Sequence, residues 1–449
     1  MFWLKQMSPE LIPVATTVHD PFKGTYIAIR WKRPDEPTPT PQGRETQWVH
    51  LTTLLDEKAK SVYDAKLHRF RGSYRAISAL IQVAEALPKD YPLRAKVIKT
   101  ALLHGCLIEN KKIILPENRA WLKTALREMD VKLPPPPEPK EHPPLKLEQQ
   151  AMPYDDAMEV LRRQWKEEPN LRAWWFDGAK ERFGSGKSQV IKDGIVSTLT
   201  DKLMSDKEFV EAYINSPFNY AFATLEDALK DRKALRQAIY GVVDGLVGVW
   251  AQTASDHHPL AWALQIAVAQ EFGLTESYEF LRKMLQDLDE SKEAPNIVAE
   301  TAFLYDTLKP LLHKYVRAVY EETQKFLAQS GLEELWLIRG VALPREWTTS
   351  LQEDDFNAYE APFLPASSWA LSVEVAEEFA ISAFRERPGT EPVTYLIRIP
   401  KEAFPLILST ALTGWGCFDE TEIVMMSSGK RQVLANIVGE SRWHYEDEY

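Results

Sequence analysis

The stretch Leu335-Trp336-Leu337-Ile338-Arg339-Gly340 is an apolar run that ends in an arginine. Its composition is typical of a strand, because branched and aromatic side chains fit a pleated, buried surface. An arginine at the end of such a strand can leave the sheet and bind a phosphate through two parallel N–H donors. The stretch therefore predicts a strand that delivers a cation into a cleft.

The residues after Gly331 continue in the same manner, with short apolar runs separated by Gly, Pro and Asp clusters. One helix is predicted among them, from Val373 to Phe384. The further predicted strands are Val393–Ile399, Glu422–Met426 and Val433–Val438. Short strands with turn signals between them predict a β-rich sandwich over residues 331–449.

The clearest boundary in the rest of the chain is the run LPPPPEPKEHPPL, from Leu133 to Leu145. Consecutive prolines fix φ and remove amide donors, so this run predicts an extended, semi-rigid linker, which we place at 133–149. The residues before it, 1–132, predict a mixed α/β domain. Its predicted elements are a strand at Thr25–Trp31 and helices at Leu54–Ala86, Pro92–Leu103 and Arg119–Met129.

Residues 150–330 predict a helical region. Helical patterns open at Asp156–Leu161 and recur over Thr224–Trp250. A last helix is expected to hold Pro310 in its first turn and to end at Gly331, since proline suits a helix start and glycine a helix end. The expected fold class is therefore α+β and multidomain, with an N-terminal mixed α/β domain and helices that precede a β-sandwich.

Composition limits the class of protein. The chain has 449 residues, of which 27% are charged and 45% apolar, so it is expected to be globular. Two cysteines cannot crosslink a chain of this length, which favours a reducing compartment. A long uncharged apolar stretch and a signal-peptide start are both lacking, so we expect a cytoplasmic protein with no membrane partner.

The net charge of −11 is unevenly distributed. Residues 1–150 hold 24 basic and 17 acidic side chains, whereas 331–449 hold 9 basic and 20 acidic ones. The basic N-terminal part suits a nucleic acid or an acidic partner, because charge sign steers association. The acidic C-terminal part would repel a polynucleotide.

Three other candidate sites are weaker. Gly184-Ser185-Gly186-Lys187-Ser188 resembles a phosphate loop, but the required first glycine is replaced by Glu181. His257-His258 diverge and have no second ligand pair at metal-site spacing, so a turn is favoured and no metal is expected. Cys417 has no base supplied by the sequence and is expected to be a structural thiol.

Four elements of the C-terminal region occur in an informative order. The strand ending in Arg339 comes first, and Ser367-Ser368-Trp369 before the amphipathic helix second. The end of that helix, Phe384-Arg385-Glu386-Arg387, comes third. The loop Gly414–Asp419 then leads into Glu420-Thr421-Glu422. In an extended segment, residues two apart point to the same side, so Glu420 and Glu422 can share a cleft.

At these residues the chain resembles the Arg-Ser-Glu class of mono-ADP-ribosyltransferases, which includes binary toxins and bacterial and phage enzymes. The resemblance covers about residues 331–440 and implies a split β-sandwich with NAD as co-substrate. It implies that Arg339, with Gly340, Trp369, Phe384 and Arg387, binds NAD. It also implies a phage or bacterial effector that acts in the cytosol, of the host if phage-encoded.

The resemblance implies roles for the remaining residues. Ser368 would orient Glu422, although Trp369 and Ala370 replace the second and third members of the family's Ser-Thr-Ser element. Glu422 would stabilise the positive charge that develops on the ribose, as glycosidase carboxylates do.

On the acceptor side, Glu420 would engage the acceptor arginine, with Trp415 or Phe418 as the aromatic residue of the acceptor loop. The expected activity is transfer of ADP-ribose to a protein arginine with release of nicotinamide. The alternatives are an NAD glycohydrolase, a nucleic-acid ADP-ribosyltransferase, and an inactive structural or adaptor protein.

Overall fold

The computed structural model combines helices with antiparallel strands, and this confirms the expected α+β class. The residues that it describes are 12–20, 24–33, 35, 49–50, 63–64, 69–91, 94–108, 110–143, 145, 151–167, 188–219, 222, 224–250, 258–410 and 421–440.

The chain forms two compact units, each made of separated segments. The first unit comprises residues 1–133, 206–261 and 296–311. The second comprises residues 134–205, 262–295 and 312–449. The expected helical region 150–330 thus contributes to both units, and two of its segments group with the N-terminal residues.

The first unit begins with short antiparallel sheets. Strands β1 (Ile12–Asp20) and β2 (Gly24–Lys32) pair in register from Ile12↔Lys32 to Asp20↔Gly24, and β3 (Val49–His50) joins β2. Strands β4 (Tyr63–Asp64) and β5 (Arg69–Phe70) form a separate pair. The strand predicted at Thr25–Trp31 is confirmed as β2.

Three helices follow in this unit: α1 (Tyr74–Ala86), α2 (Arg94–Cys106) and α3 (Pro116–Glu128). They bury a common apolar core. The helices predicted at Pro92–Leu103 and Arg119–Met129 are confirmed, with shifted ends.

The helix predicted over Leu54–Ala86 is contradicted at Tyr63–Asp64 and Arg69–Phe70, which are strands, and α1 begins at Tyr74. Residues 54–62 and 65–68 of that prediction lie outside the described residues. Two local features set the start of α1. Ser73 caps the helix by accepting from the Ala76 N–H, and a Cβ at Gly72 would lie 2.0 Å from the His104 carbonyl oxygen.

The remaining helices continue along both units. They are α4 (Tyr154–Glu167), α5 (Ser188–Ser205), α6 (Lys207–Asn215), α7 (Leu225–Lys230), α8 (Arg232–Trp250), α9 (Pro259–Phe272), α10 (Thr275–Glu290), α11 (Ile297–Ser330) and α12 (Val373–Glu386). In the part of the chain that is described, none of the helices has the length and apolarity needed to cross a membrane.

One of these helix predictions is confirmed and another needs correction. The pattern Thr224–Trp250, expected to supply at least one helix, forms two, α7 and α8, with a break at Asp231. Pro310 lies inside α11 and not in its first turn, since α11 begins at Ile297 and the buried Leu308 and Leu311 flank the proline. Gly331 ends α11 with φ +70, as predicted.

The second unit contains an eight-stranded antiparallel sheet. Its strands are β6 (Met152–Pro153), β7 (Glu334–Pro344), β8 (Asp355–Ala361), β9 (Ala366–Ala370), β10 (Thr390–Pro400), β11 (Ile407–Thr410), β12 (Glu422–Met426) and β13 (Arg431–Ile437). Their order in the sheet is β11-β12-β9-β7-β10-β13-β8-β6. The four strands predicted by sequence are confirmed as β7, β10, β12 and β13. Strands β6, β8, β9 and β11 were not predicted.

Helix α12 lies on β7, and Gly340 makes this close packing possible. A Cβ at residue 340 would lie 1.8 Å from the carbonyl oxygen of Ala376 and 2.6 Å from the amide nitrogen of Ala380. Both obstructing atoms belong to the backbone of α12, which cannot move aside as a side chain can. A cluster shared by α4, α12 and the sheet fills the space beside this contact, and it includes Ala157, Ile338 and Leu396.

The proline-rich run has no regular secondary structure over 131–143, but it is bound along its length and is not a free linker. The carbonyls of Pro134, Pro135 and Pro137 accept hydrogen bonds from Tyr278 (2.5 Å), Gln270 (2.7 Å) and Thr275 (2.9 Å). The N–H of Lys140 donates to the Gly273 carbonyl at 3.4 Å. The segment therefore lies along the junction of α9 and α10.

Replacing Gly340 by alanine is expected to destabilise the second unit by at least about 3 kcal/mol, because the new methyl group meets backbone atoms. Urea unfolding of the full chain would measure the change. Gly389→Ala is the matched control, since Gly389 has φ +85 but nothing within 4 Å of its Cβ position. That variant should lose only about 1–2 kcal/mol through the left-handed backbone. Equal losses in the two variants would contradict the packing explanation.

Glu271 makes stability depend on pH. Burial of its carboxyl would raise its pKa, but the hydrogen bond from His313 Nδ1 (2.9 Å) and the charge of Arg317 outweigh burial, so the pKa lies below 4.5. A lowered folded pKa means that this stabilisation is complete above the unfolded pKa and is lost as the pH falls through the folded pKa. At pH 7 Glu271→Gln should cost about 1.5–3 kcal/mol.

Urea unfolding between pH 7 and pH 3 would test this effect of Glu271. The difference in free energy of unfolding between the parent chain and Glu271→Gln should become smaller once the pH drops below 4.5. Glu378→Gln, an exposed position on α12, provides the control. A gap that stays constant with pH would contradict the assigned pKa direction.

Candidate active site

The candidate site lies where strands β7 and β9 meet. Strand β7 pairs with β10 over eleven residues and β9 pairs with β12 over five, but β7 and β9 are joined at one position, Ile338↔Ala370. These strands lie entirely within the described residues. The large sheet is thus held together at its middle by a single residue pair, and Arg339 is the next residue along β7.

Arg339 reaches across this junction. Its Nη1 donates a hydrogen bond to the main-chain oxygen of Ser368 on β9 at 2.5 Å. Burial lowers the pKa of the Arg339 guanidinium, and electrostatic interactions with Tyr395 and Glu422 oppose that effect. Arg339 is therefore linked to β9 by a hydrogen bond to the main chain of Ser368 and to Glu422 by charge.

Ser368 and Glu422 lie on one face of the β9–β12 pair. The register pairs Ser368 with Val424 and Ala370 with Glu422, so Ser368 and Glu422 are diagonal neighbours with Cβ atoms roughly 7 Å apart or less. Ser368 is the one residue of β9 that keeps partial solvent exposure. Glu422 is 7% exposed and therefore sits in a largely desolvated position. A carboxylate held there acts on nearby charge more strongly than it would in water.

Tyr395 is a site residue that sequence reasoning missed. It lies directly opposite Arg339 in the β7–β10 register, so the two side chains share a face. Burial raises the pKa of Tyr395, as does Tyr359, whose ring stacks on it at 5.9 Å, while Arg339 opposes the rise. Tyr395 thus stays a neutral phenol beside the guanidinium. No local sequence signal separates it from an ordinary core tyrosine.

Trp369 lies away from Ser368. Adjacent strand residues face opposite sides of a sheet, and Trp369 is 3% exposed and packs on Phe363 with ring centroids 5.7 Å apart. Phe363 in turn meets the edge of Tyr395 at 5.8 Å. Trp369 therefore belongs to an aromatic cluster with Phe363 and Tyr395, on the face of the sheet opposite to Ser368, and its predicted part in binding NAD stays a prediction.

Gly340 presents its backbone to the junction. The N–H and C=O groups of Trp336 both bond Gln164, on the side of β7 away from β10. Because successive antiparallel residues direct these groups to alternate sides, those of Ile338 and Gly340 face β9 as well. Gly340 thus combines two properties, an absent side chain that admits α12 and main-chain polar groups aimed towards β9.

The residue before Glu422 is conformationally strained. Thr421 has φ +50, a left-handed conformation that is unfavourable for a β-branched residue. Its hydroxyl accepts a hydrogen bond from the Leu371 N–H at 3.4 Å, and the residue is 6% exposed. This contact ties the start of β12 to the turn that follows β9. Strain of this kind is frequently found at functional sites.

Phe384 and Arg387 lie at the C-terminal end of α12. Phe384 is half-buried, Arg387 is exposed, and the Arg387 N–H donates to the Phe384 carbonyl at 3.1 Å. The next strand residue, Thr390, pairs with Pro344, which is roughly 16 Å along β7 from Arg339 at about 3.3 Å per residue. The strand that follows Arg387 thus starts at the Pro344 end of β7, and the predicted NAD-binding role of Phe384 and Arg387 stays a prediction.

Several predicted residues lie outside the described part of the chain. Glu420, Trp415, Phe418, Cys417 and the loop at 184–187 belong to this group. His258 is described, and its Nδ1 accepts from the Leu260 N–H at 3.3 Å at the start of α9. Among the described residues, no three His, Cys, Asp or Glu side chains are grouped as metal ligands.

Replacing Thr421 by asparagine is expected to stabilise the protein by about 1 kcal/mol, because asparagine tolerates the left-handed region and keeps a side-chain acceptor. Urea unfolding would measure the gain. Thr421→Val, which retains β-branching and removes the hydroxyl, should instead lose about 1 kcal/mol. If both variants were less stable than the parent, the left-handed backbone of Thr421 would not be a source of strain that asparagine relieves.

Comparisons with protein-family models, with curated proteins and with solved structures return no match for this chain. Its function must therefore be inferred from its own residues. The arrangement to explain is an arginine that bonds the main chain of Ser368 where the sheet is held by one residue pair, together with the desolvated carboxylate of Glu422, whose charge acts to raise the pKa of that arginine.

Proposed function

We propose that the protein is an NAD-dependent mono-ADP-ribosyltransferase that modifies an arginine of a target protein. One observation carries the proposal: Arg339 bonds the main chain of Ser368 at the opening between β7 and β9, and the charge of Glu422 acts to raise its pKa. A sheet joined by a single pair also supports the finer fold expectation of a split β-sandwich with NAD in the split.

Arg339 would hold the dinucleotide. A guanidinium has five N–H donors in a rigid fork, and it binds phosphate oxygens in pairs. One donor is used on Ser368 O, which orients the fork within the junction. The lowered pKa reflects desolvation, and a desolvated cation gains most from a bound anion. A diphosphate is the class of ligand that this position suits.

Gly340 would contribute through its main chain. Its N–H and C=O face β9 beside Arg339, and a donor and an acceptor side by side match a carboxamide. The carboxamide of nicotinamide is such a group. Phe384 and Arg387 would then meet a more distant part of the ligand, in keeping with their place at the end of α12.

Glu422 would stabilise the reacting ribose. The bond between the ribose C1′ and the nicotinamide nitrogen breaks with its electron pair leaving on nicotinamide, so positive charge develops on the ribose. A fixed, desolvated carboxylate lowers the energy of that charge more than a solvated one would. Ser368, a diagonal neighbour of Glu422 in the β9–β12 register, would orient the carboxylate.

The acceptor would be an arginine side chain. Its guanidinium nitrogen attacks C1′ and passes its proton to a carboxylate, and Glu420, two residues before Glu422 in the sequence, would take that proton with Trp415 or Phe418 beside it. Residues 331–449 carry 9 basic and 20 acidic side chains, which favours a cationic protein surface as partner. The basic N-terminal residues 1–150 would hold an acidic partner or nucleic acid in the cytosol.

Labelled NAD and a cell lysate would test the proposal with the full chain. Glu422→Gln should lose at least about a hundredfold of the labelling rate, the usual effect of removing one preorganised electrostatic group. Glu377→Gln is the matched control. Glu377 lies on α12 in the same unit and is also 7% exposed, but its carboxylate accepts a hydrogen bond from the Tyr154 hydroxyl. It should label as the parent does, and mass spectrometry should place ADP-ribose on arginine.

Other outcomes would redirect or end the proposal. Undiminished labelling by Glu422→Gln would overturn it. Free ADP-ribose without labelled protein would make the chain an NAD glycohydrolase, and label removed by nuclease but not by protease would identify a nucleic-acid acceptor. If calorimetry showed no NAD binding by the parent, an adaptor role would replace the enzyme.

A further inference from the structure

Gln265 of α9 makes an unusual contact with the start of β9. Its Oε1 accepts from the Ala366 N–H and its Nε2 donates to the Ala366 carbonyl, both at 2.9 Å. Gln265 is 2% exposed, so both bonds are made away from water. A primary amide that bonds both groups of one residue copies what a neighbouring strand would do.

The contact lies on the edge of β9 that faces β7. Ala366, Ser368 and Ala370 direct their N–H and C=O groups to the same side, because this direction alternates along an antiparallel strand. Ala370 meets Ile338 of β7, Ser368 O receives Arg339, and Ala366 is satisfied by Gln265. The three residues that face β7 along this edge are therefore each bonded by a different partner.

A continued register would pair Ala366 with Ala342, since Ile338 opposes Ala370 and each step along one strand is matched on the other. That pairing would close the space beside Arg339. Buried N–H and C=O groups require partners, and in the absence of Gln265 the remaining partner for Ala366 within a sheet is β7. Because Gln265 already bonds both main-chain groups of Ala366, further pairing of β9 with β7 would satisfy no additional group of that residue.

Gln164 of α4 provides a natural comparison. Its Oε1 accepts from the Trp336 N–H at 2.7 Å and its Nε2 donates to the Trp336 carbonyl at 2.9 Å. Gln164 is 8% exposed and lies in the same unit, but it acts on the other side of the Ile338↔Ala370 pair. On that side β9 has already ended, and Ser372 begins to cap α12.

We propose that Gln265 is a positioning residue that keeps β9 apart from β7 and so holds Ser368 and the space beside Arg339 open for a dinucleotide. The part that concerns NAD rests on the proposed function, whereas the part that concerns the strand edge does not. The described hydrogen bonds of Gln265 both go to the main chain of Ala366. Gln265 acts through the backbone of β9.

Gln265→Met and Gln164→Met would test the proposal in the full chain, since both changes conserve volume and remove both hydrogen bonds. Gln265→Met should weaken NAD binding about tenfold by calorimetry, because the loss of one to two net hydrogen bonds is worth about one decade. Gln164→Met should bind NAD as the parent does while losing a similar amount of thermal stability. Equal NAD affinities in all three proteins would overturn the positioning role.

Amide hydrogen exchange would test the strand edge independently of NAD. The Ala366 N–H should exchange about tenfold faster in Gln265→Met and the Trp336 N–H should not change. The opposite pattern is expected in Gln164→Met. If the parent bound no NAD, the proposed function would fail, but this exchange pattern would still decide the edge contact. Unchanged Ala366 exchange in Gln265→Met would overturn it.

Gln265→Glu supplies a conservative rescue. An ionised carboxylate can accept from the Ala366 N–H but cannot donate to its carbonyl, whereas a protonated carboxyl can do both. NAD affinity of Gln265→Glu relative to the parent should therefore recover as the pH is lowered towards 5. A purely structural role through packing would give a pH-independent ratio, which would contradict the proposal.

Discussion

The requirement that every buried backbone N–H and C=O find a partner governs this protein most directly at the pair Ile338↔Ala370. One residue pair joins the two parts of the sheet, so the facing edges of β7 and β9 must be satisfied by something other than each other. Side chains from α4 and α9 supply the partners, and the guanidinium of Arg339 supplies another. The opening is thus a built feature of the sheet.

Much of the sheet was predictable from sequence because its strands are locally apolar. The runs that became β7 and β12 carry strong strand composition, and β12 occupies the predicted residues Glu422–Met426. Strand β9 was missed because its sequence, Ala-Ser-Ser-Trp-Ala, has little strand propensity and is held by β12 and Gln265. The interior position of Pro310 was missed because the packing of α11 decides it, whereas the start of α1 was missed although its N-cap, Ser73, is a local signal.

The candidate site divides in a similar way. Arg339, Ser368 and Glu422 could be selected from sequence because each lies in a recognisable segment, and their order in the chain linked them. Tyr395 could not, because a cross-strand neighbour is defined by register and not by local pattern. Gln265 left one faint signal: it is a lone amide within residues 260–269 of α9, where a buried polar side chain calls for a partner.

The bound proline-rich segment has an evolutionary consequence. Its grip on the fold comes from main-chain oxygens, which any sequence with the same extended geometry would present. Selection should therefore preserve the proline content of this segment while individual positions accept substitutions. The side chains that donate to these oxygens, Tyr278, Gln270 and Thr275, cannot be exchanged in the same way. Divergent homologues should keep those three donors long after the proline run itself has ceased to align.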